Sequence, residues 1–149
     1  MPRQARVVIP GIAHHITQRG NRRQPVFFCD DDYQYYLDLL GTWTQTNSLA
    51  ILAYCLMPNH IHLIVRPTDI SSMAKSMNEI HRRYTRYINF REKWTGHLWQ
   101  SRYSSFALSD RHLYHALRYV ETNPVRASLV EIGGHHTYLS VNWYGVPVF

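Results

Sequence analysis

The chain has 149 residues, 45% of them hydrophobic and 17% charged, which excludes a disordered segment and allows one domain with a real core. No apolar run reaches transmembrane length and no secretory signal pattern opens the chain, so a cytoplasmic protein without a membrane partner is expected. The net charge is +6 and every basic residue except Lys75 and Lys93 is Arg; Arg forks onto phosphate and stacks on flat rings, so the expected partner is nucleic acid rather than a small-molecule substrate.

The first strand is expected over Ala13–Gln18, closed by the turn pair Gly20-Asn21. Asp30, Asp31 and Asp32 offer a helix start, and Tyr36, Leu39, Leu40 and Trp43 give a helix to Thr46 its apolar stripe. From Leu39 through Val65 there is no Asp, Glu, Lys or Arg, which marks the middle of the fold. Leu49–Leu56 and His60–Arg66 read as a β-hairpin around Met57-Pro58-Asn59. A second helix is expected from Ile70 to about Phe90, with Ile70, Met73, Met77, Ile80, Tyr84 and Tyr87 as its stripe. His97–Leu108 reads as another strand region. Ser109-Asp110 then caps a third helix to about Thr122, and Asn123-Pro124 begins a further short one. The order β-α-β-β-α-β plus a C-terminal helix predicts a ferredoxin-like, RRM-like α+β sandwich: an antiparallel sheet with helices on one face and a tyrosine-bearing C-terminal helix. A single domain over 1–149 is expected, with 135–149 as a tail. The cysteines, Cys29 and Cys55, form no C-x-x-C pair and read as buried free thiols.

The sequence His60-Ile61-His62 places two imidazoles on one face of a strand, about 6–7 Å apart along the backbone, where both can converge on one metal ion. On the third helix Leu113, Ala116, Leu117 and Val120 form the core stripe. Tyr119 and Asn123 lie one turn apart along its flank. If that flank abuts the imidazoles, Asn123 can give an oxygen to the ion and Tyr119 can point at a phosphate held there. Read singly, Tyr119 is also an ordinary half-buried tyrosine, and Asn123 also a helix cap. The Arg residues cluster as Arg19, Arg22 and Arg23, and again as Arg82, Arg83, Arg86 and Arg91 with Lys93, a pattern that suits phosphates.

Four blocks carry a family resemblance: His15-Ile16-Thr17-Gln18-Arg19-Gly20-Asn21 with Phe27-Phe28; Met57 through Val65; Leu98-Trp99-Gln100-Ser101-Arg102-Tyr103; and Tyr119-Val120-Glu121-Thr122-Asn123-Pro124-Val125-Arg126-Ala127. In this order the chain resembles the REP-associated tyrosine transposases, relatives of the single-tyrosine insertion-sequence transposases of the HUH class. The resemblance implies that His60 and His62 ligate a metal, that Asn123 is the third ligand and that Tyr119 is the nucleophile. Many insertion-sequence relatives carry Gln where this chain has Asn123.

The activity expected of these parts is that of a single-stranded DNA endonuclease and strand transferase. An N, N, O ligand set suits Mg or Mn and leaves positions for phosphate oxygens. The resemblance implies that Tyr119 becomes joined to the 5′ phosphate and the 3′ hydroxyl leaves. Single-stranded or hairpin DNA is the expected partner, with Arg19, Arg22, Arg23, Arg82, Arg86 and Arg102 on phosphates and Trp99 and Tyr103 on bases. At least two of Trp94, Trp99, Tyr103 and Phe106 are expected in the core instead. A monomer is expected, with a dimer as the alternative. The rival reading is a non-catalytic, RRM-like single-strand-binding domain.

Overall fold

The computed structural model describes residues 4–126 and 139–141, with backbone alone for 121–126 and 139–141. Its elements are β1 (His14–Arg19), α1 (Asp30–Thr46), β2 (Leu49–Met57), β3 (His60–Pro67), α2 (Ser72–Glu92), β4 (Ser104–Ala107), α3 (Asp110–Arg126) and β5 (Leu139–Val141). The strands form one antiparallel sheet in the order β4-β1-β3-β2-β5. The first four strands and two helices have the expected ferredoxin-like arrangement. The three-residue β5, on the outer side of β2, falls in the segment expected to be a tail.

Strand alternation divides the buried side chains between two layers. Ile16, Ile61, Leu63 and Val65 face α1 and α2, where Tyr36, Leu40, Met73, Met77, Ile80 and Tyr84 close the main core. Ala53, Cys55, Met57 and Ile64 face the other way, under Ala116, Leu117 and Val120 of α3. Strand β2 carries a bulge at Leu52, where the register with β3 shifts between Ile51 and Ala53. The extra residue swaps the alternation, so the odd-numbered Leu49 and Ile51 before it and the even-numbered Tyr54 and Leu56 after it face the main core.

Several local expectations change in the folded chain. Ile70 is 71% exposed, because α2 begins only at Ser72 and Ile70 precedes the helical phase; Ile88 completes the stripe instead. Of His97–Leu108 only Ser104–Ala107 is strand, and the rest is a loop tied to the end of β1 by a bridge between Gly20 and Trp99. Asn123-Pro124 begins no separate helix, since α3 runs on to Arg126; proline at 124 has no N–H to give to the carbonyl of Val120, so α3 continues with one ladder hydrogen bond fewer. Residues 127–138, which follow, lie outside the described residues. Cys29 is exposed, whereas Cys55 is buried.

The acidic start of α1 also works differently. Asp32 is fully buried, accepts from the Phe28 N–H at 2.9 Å and pairs with Arg91 of α2. Burial pushes its carboxyl up, but Arg91, the Phe28 N–H and Tyr87 outweigh that and hold it below the usual carboxylate range. Arg91 therefore clamps α2 to the start of α1, and its charge is committed within the fold.

Candidate active site

The His60-Ile61-His62 motif sits at the start of β3, immediately after the two-residue turn Pro58-Asn59. Ile61 is fully buried toward α1 and α2, so both imidazoles project toward α3. Their ring centroids are 5.1 Å apart and the rings are perpendicular. The neighbouring strands complete this floor. Arg19 of β1 pairs across from His60, and Thr17 from His62; Met57 and Cys55 of β2 do so from the other side.

Both imidazoles are held by their Nδ1 atoms. His60 Nδ1 is 2.7 Å from the Asn59 side-chain oxygen, and His62 Nδ1 is 3.1 Å from His15 Nε2. The Asn59 amide also donates to the Arg23 carbonyl at 3.2 Å, so one side chain fixes both the His60 ring and the Arg22-Arg23 turn. These arrangements leave the Nε2 atoms of His60 and His62 for another partner. Metal-bound imidazoles are characteristically oriented in this way by a hydrogen bond on the other nitrogen.

Burial, together with the smaller effects of the neighbouring His15 and His60, pushes the His62 pKa down to about 3. His60 is lowered by burial and then by Arg19, and His15 by burial alone. All three rings are neutral near pH 7, the form that ligates metals. Burial pushes the Cys55 thiol up to about 12, which keeps it protonated and a poor ligand. Among the described residues no group of three His, Cys, Asp or Glu could hold a metal ion.

Helix α3 supplies the phenol. Leu113 is partly buried and Ala116, Leu117 and Val120 are buried against the sheet, which rolls Tyr119 to the helix margin, 41% exposed. Its ring centroid lies 5.4 Å from His62 and 6.4 Å from His15, both edge-on. Tyr119 of α3 thus meets His62 and His15 on its own sheet. Asn123 is one helical turn further along α3; its side chain lies outside the described residues. His112, two turns before Tyr119, bonds Ser109 at the start of the helix instead of the site.

The basic residues divide between the two sides of the sheet. Arg19 flanks His60, and Arg22 and Arg23 are exposed in the turn held by Asn59. Arg22 and Arg23 adopt left-handed backbone, with φ of 56° and 60°, at a cost of about 1 kcal/mol or more each. Gly20 makes this turn possible: a Cβ there would meet the Gln24 carbonyl oxygen at 2.2 Å. Arg82 and Arg86 are exposed on α2, across the sheet from the imidazoles, and Arg82 is paired with Glu79. Arg102 is exposed on the loop before β4. Trp99 and Tyr103 are buried, the first stacked on His81 at 4.6 Å and the second covered by the Arg6 guanidinium at 3.5 Å. Trp94 and Phe106 are the exposed pair.

His15 and Asn59 are the site residues that motif reading left without a role. Asn59 stands beside His60 in the chain, but His15 reaches His62 only through the pairing of β1 with β3.

His15, His60, His62 and Tyr119 thus cluster between α3 and one face of a ferredoxin-like sheet. Residues 9–123 match the family model described as "Transposase IS200 like", and the chain belongs to that family. Among solved structures, it is similar to a REP-associated tyrosine transposase bound to a REP hairpin, with a TM-score of 0.67 and 23% identity over 88% of this chain and 77% of that one. It is also similar to a protein of Deinococcus radiodurans described as a candidate transposase, with a TM-score of 0.55 and 21% identity over 81% of this chain and 97% of that one. At these identities the two structures speak for the fold. A search of curated proteins returned no match. Among the described residues no helix is long and apolar enough to cross a membrane.

Proposed function

We propose that the protein is a metal-dependent endonuclease and strand transferase for single-stranded DNA beside a hairpin, working through a covalent link between Tyr119 and a 5′ phosphate. The observation that carries this reading is the Tyr119 ring 5.4 Å from His62, with both motif imidazoles tied back by Nδ1. The donor chemistry fits a divalent ion: two neutral Nε2 atoms on one strand face, with Asn123 proposed as the oxygen donor. Bound there, Mg or Mn would supply Lewis-acid polarisation of the scissile phosphodiester.

The chain's own residues account for the rest. The Asn59 and His15 contacts aim the two imidazoles and reduce the reorganisation needed on binding. Arg19, beside His60, and the Arg22-Arg23 turn place positive charge along one rim of the site, suited to the backbone of the incoming strand. The Tyr119 oxygen attacks phosphorus, the phenol gives up its proton, and the bond to the 3′ oxygen breaks. That oxygen takes a proton and leaves as a 3′ hydroxyl. The phosphotyrosine preserves the strand's phosphoester bond, so a 3′ hydroxyl can reverse the step without a nucleotide cofactor. One phenol and both imidazoles come from one polypeptide, which supports a monomer that cuts one strand at a time.

The test is a denaturing gel of purified protein, Mn or Mg, and a hairpin oligonucleotide with unpaired extensions. The expected product is a protease-sensitive protein–DNA adduct that disappears with Tyr119→Phe, with His62→Ala and with chelator. Free 5′-phosphate ends without an adduct would indicate attack by water. Binding without any cleavage across varied hairpins would leave an RRM-like binding module.

A further inference from the structure

Main-chain hydrogen bonds fasten the Pro58-Asn59 turn, at the tip of the β2-β3 hairpin, to residues 20–27. The Gly20 N–H donates to the Asn59 carbonyl at 2.8 Å, and the Val26 and Phe27 N–H groups donate to the Pro58 carbonyl at 2.8 and 3.2 Å. Between these anchors the chain makes the left-handed Arg22-Arg23 turn. The Asn59 side chain therefore stands in a fixed place between that turn and the His60 ring, 3.2 Å from the Arg23 carbonyl oxygen and 2.7 Å from His60 Nδ1.

The chemistry of these two neighbours leaves one arrangement of protons. The Arg23 carbonyl can only accept, so the amide must turn its NH2 group toward it. The amide oxygen then faces His60 Nδ1, and it too can only accept. His60 Nδ1 must carry the ring proton, which puts the lone pair of the neutral ring on Nε2. No such direction is imposed on His62. Its Nδ1 meets His15 Nε2 at 3.1 Å, and either of two neutral imidazoles can be the donor. The main chain of the Arg22-Arg23 turn thus selects the tautomer of one motif imidazole and not of the other. Asn59 itself is exposed, so its amide owes its orientation to these two partners and not to burial.

We infer that Asn59 is a positioning residue that links the Arg22-Arg23 turn to the His60 ring, so that setting either one sets the other. The role rests on the metal site and the DNA-facing rim proposed above. A cation on Nε2 requires the Nδ1–H tautomer. That tautomer holds the amide oxygen, and the amide NH2 group then holds the Arg23 carbonyl. Linkage runs equally in reverse, so a turn held against a phosphate strand favours the form of His60 that binds metal.

Asn59→Ala and Asn59→Asp separate the two halves. Alanine removes both contacts, whereas aspartate still accepts from Nδ1–H and has no donor for the carbonyl. Thermal midpoints check that both variants keep the fold, as expected for an exposed position. In the metal-free parent, ring-nitrogen NMR spectra near neutral pH should show His60 as the Nδ1–H tautomer, and in Asn59→Ala as a mixture with the Nε2–H form. Calorimetry with Mn alone should give about tenfold weaker binding for Asn59→Ala, and binding as tight as the parent or tighter for Asn59→Asp. Saturating Mn should slow tryptic cleavage after Arg22 and Arg23 of the parent about fivefold. Cleavage after Arg102, on the loop before β4, should not change. In either variant Mn should leave cleavage of the turn unaltered.

The same tautomer in parent and Asn59→Ala would overturn the role. Equal Mn affinity of these two would do so as well, as would a loss that aspartate does not restore. Protection of the turn by Mn that persists in Asn59→Ala would overturn the link, because the two parts would then communicate by another route. A parent that binds no Mn would remove the metal site proposed above, and the tautomer comparison would still decide whether Asn59 sets the His60 ring.

Discussion

The two faces of the sheet are built from the same strands and carry opposite duties. On β3, Ile61, Leu63 and Val65 are fully buried against α1 and α2. One residue out of phase, His60 and His62 face a single helix that leaves its tyrosine 41% exposed. The first face is closed by aromatic packing among Phe27, Tyr36, Tyr84 and Trp99, with centroids 5.3–6.4 Å apart. The second is narrow and open at its margin, and its polar groups are tied by single hydrogen bonds. The contrast shows how a period of two assigns stability and chemistry to alternate residues of one strand, so that each can be changed without the other.

The sharpest way to break that contrast is a matched pair of variants. Tyr119→Phe should reduce the covalent adduct to background while shifting unfolding free energy by no more than about 0.5 kcal/mol, as expected of a surface residue. Leu63→Ala should cost about 2–5 kcal/mol of stability through the cavity it leaves. Denaturant melts and adduct gels on both proteins check this; a large stability loss for Tyr119→Phe would show that the two faces are not separable.

Acid should act through the buried face next. Burial pushes His81 down to about 3, below its unfolded value of ~6.5. Between these values the unfolded chain binds the proton first, so the stability from the neutral ring is full above pH ~6.5 and is lost as pH falls toward 3. At pH 5 this amounts to about 2 kcal/mol for the one group. Urea melts at pH 7.5 and pH 5 should show a smaller pH difference for His81→Gln than for the parent; identical slopes would contradict the assignment.

Gly20→Ala should cost about 1–3 kcal/mol, because its Cβ overlaps backbone and the Arg22-Arg23 turn must shift. The same variant should weaken DNA binding, whereas Gly11→Ala, where a Cβ meets nothing within 4 Å, should leave binding alone. Smallest of all, Arg19→Ala should weaken binding a few-fold for every DNA sequence alike and lower the salt dependence by about one counterion. A sequence-selective loss would assign Arg19 to a base instead of a phosphate.

Local pattern was readable wherever one period dominated. The alternation in His60–Val65 put His60 and His62 on the face opposite the main core, and the stripe Leu113, Ala116, Leu117 and Val120 put Tyr119 at the helix margin, since burying an apolar stripe leaves only one orientation for the residues beside it. It was unreadable where remote segments meet. The Trp99 and Tyr103 rings are covered by His81 and Arg6, which no spacing within their own block announces. The Arg clusters look alike in composition, yet the sheet separates Arg19, Arg22 and Arg23 from Arg82 and Arg86.

The sequence alone determined the order of elements from β1 through α3, the paired imidazoles on one strand face and a tyrosine at the margin of an amphipathic helix, because 2.0 and 3.6 residue periods are local properties of the backbone. Only the tertiary structure decided that α3 lies on the imidazole side and that His15 braces His62 across two strands. Those outcomes depend on the register of β1 with β3 and on which layer has room for each helix, and both are set by packing between distant parts of the chain.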